Sequence, residues 1–385
     1  MAQKEAVLDL LKGFLPEDVK DVYQYYANRA DSLYYLGQYT AALSDYKAAE
    51  LLKGENNNVK FKLHKALCED FIPQVEKADK YLKNNNITEA KTIYTKIITD
   101  NPSDLHSQNM LKAIKEIEAQ NLIFVEGGTF TMGSEESSDE TPHQVTLTNY
   151  YISKTEVTNQ QYADFLNQYQ SDKIKKGYLY ENQTMIYEYD WGIKFVEDPT
   201  GFENPSGLTG WYKPDSSYEN HPVVYVTWFG AYEFCRYNGY KLPTEAQWEY
   251  AVGGGIKTLQ GFENLVRFKY AGSNNIDSVA WYSDNNEPYG KKQVATKAPN
   301  QLGIYDMTGN VWEWCQDWYK SDFYSDAEAL KNDPVYDPVS SSARVSRGGS
   351  WFSNASGCRI AYRNYYDPTY YRNYIGFRFV LSPSL

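Results

Sequence analysis

A short acidic stretch, residues 306–313, carries residue types that suit a hard metal ion. Asp306 and Glu313 supply carboxylates, and the backbone carbonyls of Gly309 and Val311 add neutral oxygen donors around a tight glycine turn. Calcium prefers oxygen ligands of these two kinds. On spacing alone the pattern is unspecific, because a carboxylate such as Glu313 also pairs with a nearby arginine. The stretch predicts a calcium site, with an ordinary ion pair as the alternative.

A second stretch with unusual chemistry runs from Trp351 to Tyr374 and holds six tyrosines and three asparagines. A Gly-Gly-Ser-Trp turn at 348–351 precedes it, and an apolar segment at 375–380 that is typical of a buried strand follows it. Flat aromatic rings mixed with small adaptable polar groups are typical of antibody binding loops. The predicted contact surface consists of Ser353, Asn354, Ser356, Tyr362, Asn364, Tyr365, Tyr366, Tyr370, Tyr371 and Asn373. The alternative is that the tyrosines form a half-buried rim of the core.

Other catalytic constellations are missing from the sequence. The cysteines are Cys68, Cys235, Cys315 and Cys358, without a CxxC pair or zinc spacing, so structural zinc is not expected. The four histidines have no paired ligand spacing, and no Ser-His-Asp arrangement, phosphate loop or basic stripe occurs.

Charge and hydropathy narrow the classes of partner. The net charge of −12 disfavours a nucleic-acid backbone as partner. No apolar run approaches the roughly 20 residues needed to span a membrane, and the first residues, MAQKEAVLDLLKGF, lack a signal-peptide pattern. We expect a soluble chain that is cytoplasmic as written. Surface display or secretion would require a removed leader or non-standard export.

Residues 1–118 are predicted to be helical, because apolar residues recur at helical spacing and glycine is almost absent. Within 26–49, small residues alternate with large ones in a way that resembles a tetratricopeptide repeat, and a second copy is predicted at 78–102. Such repeats often bind peptides on a concave surface. The region therefore predicts a protein partner or a spacer.

Beyond a predicted domain boundary at residues 119–121, the sequence predicts both strands and helices. Residues 124–133 alternate around Gly127-Gly128 and predict a hairpin, and 143–152 predict a second strand pair. Pro222–Val226 is predicted as a short strand, and Thr158 as the N-cap of a helix. The fold class is therefore α+β, with an all-α region followed by an irregular second domain.

Several motifs give residues 122–385, about two thirds of the chain, a resemblance to a known family. They are GGTFTMG at 127–133, TEVT at 155–158, KLPTEAQWEYA at 241–251, GIYDMTGNVWEW at 303–314, RGGSW at 347–351 and GFR at 376–378. In this order they resemble the formylglycine-generating-enzyme, or sulfatase-modifying-factor, domain. The resemblance implies a C-type-lectin-like fold that holds long loops on a modest sheet. It also implies calcium binding at Asp306, Gly309, Val311 and Glu313.

For the oxidases of that family, the resemblance implies two cysteines within the C-terminal stretch that bind copper(I), a metal suited to soft thiolates. Counted from Gly348, the first position is occupied by Ser353 and the second by Cys358. A hydroxyl cannot replace a thiolate toward copper(I), so copper is not expected. If the domain is an enzyme, Cys358 and Ser350 are its candidate catalytic residues. Non-catalytic relatives imply that Cys358 is a structural neighbour or disulfide partner of Cys235.

The C-terminal placement of the Tyr/Asn stretch also resembles the variable proteins of diversity-generating retroelements. In those proteins adenine-directed mutagenesis converts Asn codons into Tyr, Ser and Asp codons. An ordinary non-catalytic family member with the same residues remains the alternative.

The sequence therefore predicts a non-catalytic protein that binds a protein or cell-surface ligand through its C-terminal loop, with structural calcium. Two alternatives are a metal-dependent oxidase acting on a cysteine of a partner protein and an adaptor acting through the helical repeats.

Overall fold

The computed structural model describes residues 22–53, 59–84, 86–119, 122–169, 179–180, 183–186, 193–197, 210–255, 268–338 and 341–381. The chain forms two compact units, one ending at Ala119 and the other running from Gln120 to Ser382. Each unit has its own hydrophobic core. In the described ranges, no helix is long and apolar enough to cross a membrane.

The described part of the first unit is helical. It consists of α1 (Val22–Tyr35), α2 (Tyr39–Lys53), α3 (Val59–Lys83), α4 (Ile87–Asp100) and α5 (Leu105–Ala119), and helices that are consecutive in the chain pack on each other. Tyr26, Ala30 and Tyr34 are buried at intervals of four on one face of α1, against Ala42 and Tyr46 of α2. The all-α region is thus confirmed. Its relation to the tetratricopeptide repeat stays a prediction, and residues 1–21 lie outside the described residues.

The second unit is built on short strands. They are β1 (Ile123–Val125), β2 (Gly128–Met132), β3 (His143–Leu147), β4 (Tyr150–Ile152), β5 (Leu179–Tyr180), β6 (Gln183–Thr184), β7 (Ile193–Glu197), β8 (Gly210–Pro214), β9 (Trp312–Trp318), β10 (Arg344–Arg347), β11 (Asn364–Tyr366), β12 (Ile375–Gly376) and β13 (Val380–Leu381). Their sheets have the orders β1-β4-β13, β11-β10-β9-β12, β2-β3, β5-β6 and β7-β8. With the helices beside them, these sheets confirm the α+β fold class.

The sheet β11-β10-β9-β12 joins the two chemically unusual stretches. Antiparallel β9 and β10 align Glu313 with Arg347, and parallel β12 aligns Gly376 with the same Glu313. β11 forms the outer edge, where Asn364 lies opposite Ser346. The acidic stretch and the Tyr/Asn stretch are therefore neighbours in space, although 37 residues of chain lie between Glu313 and Trp351.

The predicted hairpin around Gly127-Gly128 is wrong. β1 pairs with β4 and β2 pairs with β3, so residues 123–132 form one arm of a longer interrupted hairpin with 143–152. Gly127 lies within that arm, where a Cβ atom would collide with the backbone of Leu147 and Thr148. The glycine is needed for close backbone approach and not for a turn. The second predicted strand pair, at 143–152, is also wrong, because β3 pairs with β2 and β4 pairs with β1.

The helices of the second unit are α6 (Asn159–Gln168), α7 (Trp228–Asn238), α8 (Glu245–Val252) and α9 (Ile276–Val279). Thr158 caps α6 as predicted, in a capping box with Gln161, and Thr244 caps α8 in the same way with Gln247. Pro222–Val226, predicted as a strand, makes only isolated bridges at its two ends. The apolar close at 375–380 is buried throughout but is split between β12 and β13, which belong to different sheets.

Candidate functional site

Buried arginines tie the recurring motifs to one another. Arg347 donates to Glu245 at 2.9 Å and also to Glu249, and Arg363 makes a two-point ion pair with Glu245 at 2.8 and 2.9 Å. The glutamates lie on α8, and Arg347 ends β10. Planar guanidinium groups suit such two-point contacts. Arg347 and Arg363 with Glu245 and Glu249 thus form one buried ion-pair network.

Glu313 lies in a second ion pair. Its carboxylate accepts two hydrogen bonds from Arg378, at 2.7 and 2.8 Å, and a third from Trp248 Nε1 at 2.7 Å. Glu156 and Asp306 are buried near the same guanidinium. Burial, together with the neighbouring carboxylates, raises the pKa of Glu156, and burial raises the pKa of Asp306 to about 6. Three buried carboxylates therefore face one arginine.

The predicted calcium ligands do not converge through their side chains. Asp306 accepts a hydrogen bond from the Ala295 amide, whereas Glu313 is held by Arg378. Among the described residues, no three His, Cys, Asp or Glu side chains are arranged to hold a metal. The two carboxylates and the two carbonyls, at Gly309 and Val311, suit calcium in ligand type, but the charge of Glu313 is already paired with Arg378.

Ser353, at the first of the two cysteine positions expected for an oxidase, lies beside Ser350. The backbone N–H of Ser350 donates to Ser353 Oγ at 3.1 Å, and the two hydroxyls lie 3.1 Å apart. Cys358 is fully buried, in a cluster with Tyr270, Val279, Ala280 and Tyr282. Burial raises the pKa of its thiol to about 12. The thiol is therefore protonated and enclosed at neutral pH.

Gly349 explains how Cys358 is enclosed. Gly349 has φ +79°, and a Cβ atom there would lie 2.5 Å from Cys358 Sγ. The Gly-Gly-Ser-Trp turn thus packs its backbone directly on the sulfur. All four cysteines are free and buried, so of the two roles expected for Cys358, a structural neighbour or a disulfide partner of Cys235, the disulfide is not formed. Cys235 lies instead on α7.

Four of the predicted contact residues lie together and are only partly buried. Tyr366 and Tyr370 stack with centroids 4.2 Å apart, and the hydroxyls of Tyr370 and Tyr374 are hydrogen-bonded. Tyr362 lies 6.0 Å from the buried ring of Trp312, and Asn364 donates to Ser346 Oγ at 3.2 Å. Tyr362, Asn364, Tyr366, Tyr370 and Tyr374 are called the tyrosine face below.

The other predicted contact residues are placed differently. Tyr365 points to the opposite side of β11, stacked on Tyr319 at 4.0 Å. Asn354 caps the short 3-10 helix Ala355–Cys358 and accepts a hydrogen bond from the Ser356 hydroxyl, so both have structural roles. Tyr371 packs near Tyr225, and Asn373 lines a separate pocket. None of the ten predicted contact residues is buried.

Two surface features, an exposed phenylalanine and a pocket, were not predicted from the sequence. Phe352 is 69% exposed and its ring is nearly parallel to that of Tyr374, with centroids 6.3 Å apart. The sequence did contain a signal for this feature, because Phe352 is an apolar residue at a loop position, directly after Trp351, where a polar residue is usual. The pocket that contains Asn373 is also lined by Trp281 and Lys291, which belong to a loop without a motif.

Comparison with known proteins assigns the chain to a family. The sulfatase-modifying factor enzyme 1-like domain matches residues 107–383, and the chain belongs to that family. The formylglycine-generating enzyme of Thermomonospora curvata is 30% identical over 298 residues, which are 69% of this chain and 94% of that protein.

A longer protein and a solved structure also match. The serine/threonine-protein kinase Pkn1 of Chlamydia trachomatis serovar L2 is 34% identical over 272 residues, 69% of this chain and 39% of the kinase. The chain thus spans about two fifths of that relative's length. The structure of Treponema denticola variable protein 1 aligns with a TM-score of 0.48 and 23% identity, over 68% of this chain and 95% of that one.

Proposed function

We propose that residues 122–385 form a non-catalytic binding domain that presents the tyrosine face to a protein or cell-surface molecule. One contrast carries the proposal. All four cysteines are buried, and the first oxidase position holds Ser353, whereas Tyr362, Tyr366 and Tyr370 are only partly buried. Such a site offers no exposed thiolate for copper but offers flat rings for contact.

The packing of the tyrosine face supports binding. Tyr366 and Tyr370 are already stacked, and Trp312 lies 6.0 Å behind Tyr362, so these rings lose little conformational entropy on contact. β11 holds Asn364 and Tyr366 on one side of an ordered strand. Pre-organised aromatic anchors are typical of residues that dominate binding energy.

We expect that serine at Tyr362, Tyr366 and Tyr370 together weakens binding of the natural partner by at least about 30-fold. Loss of aromatic anchors at an interface centre costs about 2 kcal/mol or more, which corresponds to that factor. The measurement is quantitative capture from cell-surface extracts with wild type and variant as baits, followed by titration of each protein that the variant loses.

The matched control replaces Tyr35, an exposed tyrosine of α1, with serine. Partners retained by the control and lost by the triple variant support the tyrosine face. Identical partner sets and affinities for all three baits contradict it.

The same experiment tests the adaptor alternative. Removing residues 1–118 while every partner is retained argues against binding through the helices. The retroelement origin of the stretch is tested separately, by looking for a template copy of the segment encoding 344–380 beside a reverse transcriptase gene.

We propose that calcium binds at Asp306, Gly309, Val311 and Glu313 and stabilises the fold of this domain. We expect 1 mM calcium to raise the melting temperature relative to excess chelator, because a ligand present at 100 times its Kd adds about 2.7 kcal/mol. Thermal melts followed by tryptophan fluorescence measure this effect. Asp306→Asn should abolish the response, and an unchanged melting temperature in wild type contradicts the proposal.

The oxidase alternative rests on the identity to the Thermomonospora curvata enzyme. It would require Cys358 to react although its sulfur is enclosed.

A further inference from the structure

A pocket of about 680 Å³ lies between residues 218–225, the loop 281–292 and the start of the Tyr/Asn stretch. Its lining includes Tyr218, His221, Trp281, Lys291 and Trp351. A volume of this size accommodates a small molecule. Apart from Asn373, its lining lies outside the predicted contact surface.

The pocket is positively charged in a strongly acidic protein. Lys291 and Lys292 both line it, against one carboxylate, that of Glu287, whereas the whole chain carries a net charge of −12. Burial lowers the pKa of Lys291 to about 8. An anion bound beside this ammonium group would favour its charged form. The lining therefore selects for negative charge.

The walls of the pocket are aromatic, and their polar atoms are already used. Trp281 Nε1 donates to Thr296 Oγ1 at 2.8 Å, and Trp351 Nε1 donates to the Asn373 carbonyl at 3.0 Å. Lys297 Nζ lies 4.0 Å from the Trp281 ring centroid, so Trp281 offers a ligand one ring face, beside the ring of Trp351. Lys291 Nζ lies 5.2 Å from the ring centroid of Tyr218, within cation–π distance.

His221 adds an aromatic ring beside Tyr218, with ring centroids 4.6 Å apart. Its Nδ1 is buried without a hydrogen-bond partner among the described atoms. Burial and the charges of Lys291 and Lys292 lower the pKa of His221 to about 4, so the ring is neutral at physiological pH. A neutral imidazole whose Nδ1 is buried adds ring surface to the lining and no charge.

We propose that this pocket binds a small molecule with a carboxylate on a flat aromatic body. The carboxylate pairs with Lys291, and the aromatic body lies against Trp281 and Trp351. This site is independent of the tyrosine face, so either can fail without the other.

The test is calorimetric titration of the full chain with indole-3-acetate, indole-3-acetamide and inorganic phosphate. We expect the carboxylate to bind at least tenfold more tightly than the neutral amide and more tightly than phosphate. Lys291→Met should weaken indole-3-acetate at least tenfold. Lys331→Met, at an exposed lysine paired with Glu328, should change it less than twofold.

Lys291→Met should not lower the melting temperature, because it removes a desolvated charge, and melting curves therefore report whether the variant is folded. Equal binding of acid and amide, wild-type affinity in Lys291→Met, or no binding of indole-3-acetate at 5 mM would each overturn the proposal. Equal affinity for phosphate would reduce the pocket to a general anion site and would also reject it.

Discussion

None of the four cysteines of the native protein is expected to react with a thiol-specific disulfide reagent at pH 8, and four should react after unfolding. With a pKa of about 12, only about 10⁻⁴ of Cys358 is thiolate at this pH, against about a quarter of an ordinary thiol. Ionisation alone slows the reaction by roughly 10³-fold. Burial raises the pKa of Cys68 to about 12 as well, and it also raises the pKa values of Cys235 and Cys315.

Ser353→Cys supplies the positive control for this experiment. Position 353 is partly exposed, so the variant should gain one rapidly reacting thiol while the four native cysteines stay silent. Rapid labelling of the wild type that disappears in Cys358→Ala would show that Cys358 is accessible. That result would remove the main physical argument against an oxidase.

Arg378→Met is expected to destabilise the second unit by about 3–5 kcal/mol, because it leaves the buried Glu313 carboxylate without its cation. Glu156 and Asp306 add further buried negative charge at the same place. Urea unfolding followed by tryptophan fluorescence measures this unit alone, since all nine tryptophans lie between residues 191 and 351.

Arg372→Met is the matched control, because Arg372 is exposed, and we expect a change within about 0.5 kcal/mol. Arg378→Met combined with Glu313→Gln should be less destabilised than Arg378→Met alone, since the unpaired charge is gone while an oxygen remains for Trp248. Equal unfolding midpoints for Arg378→Met and Arg372→Met would show that the ion pair does not hold the sheet.

Local rules predicted local structure well. The Thr158 cap could be predicted because a capping box is decided within four residues. Strand partners could not, since the pairing of β1 with β4 depends on contacts that the Gly127-Gly128 motif does not encode. The ion pair of Glu245 with Arg347 joins residues about 100 apart, and neither sequence pattern points to the other.

At the site, residue type predicted an aromatic surface, but it did not predict which side of β11 each tyrosine faces. Strand alternation separates Tyr365 from Tyr366 once β11 is known, yet a three-residue strand has too short a pattern to predict. Asn354 and Ser356 looked like contact residues because cap residues and binding-loop residues share the same chemistry. The cationic pocket had no sequence signal, since distant segments form it.

The central claim is that the domain binds and does not oxidise. Its most direct test is a thiol-to-aldehyde assay on a cysteine-containing peptide, with copper(I) and oxygen supplied. The account predicts no aldehyde above the protein-free blank for the wild type. Copper-dependent turnover that is lost in Cys358→Ala would contradict it.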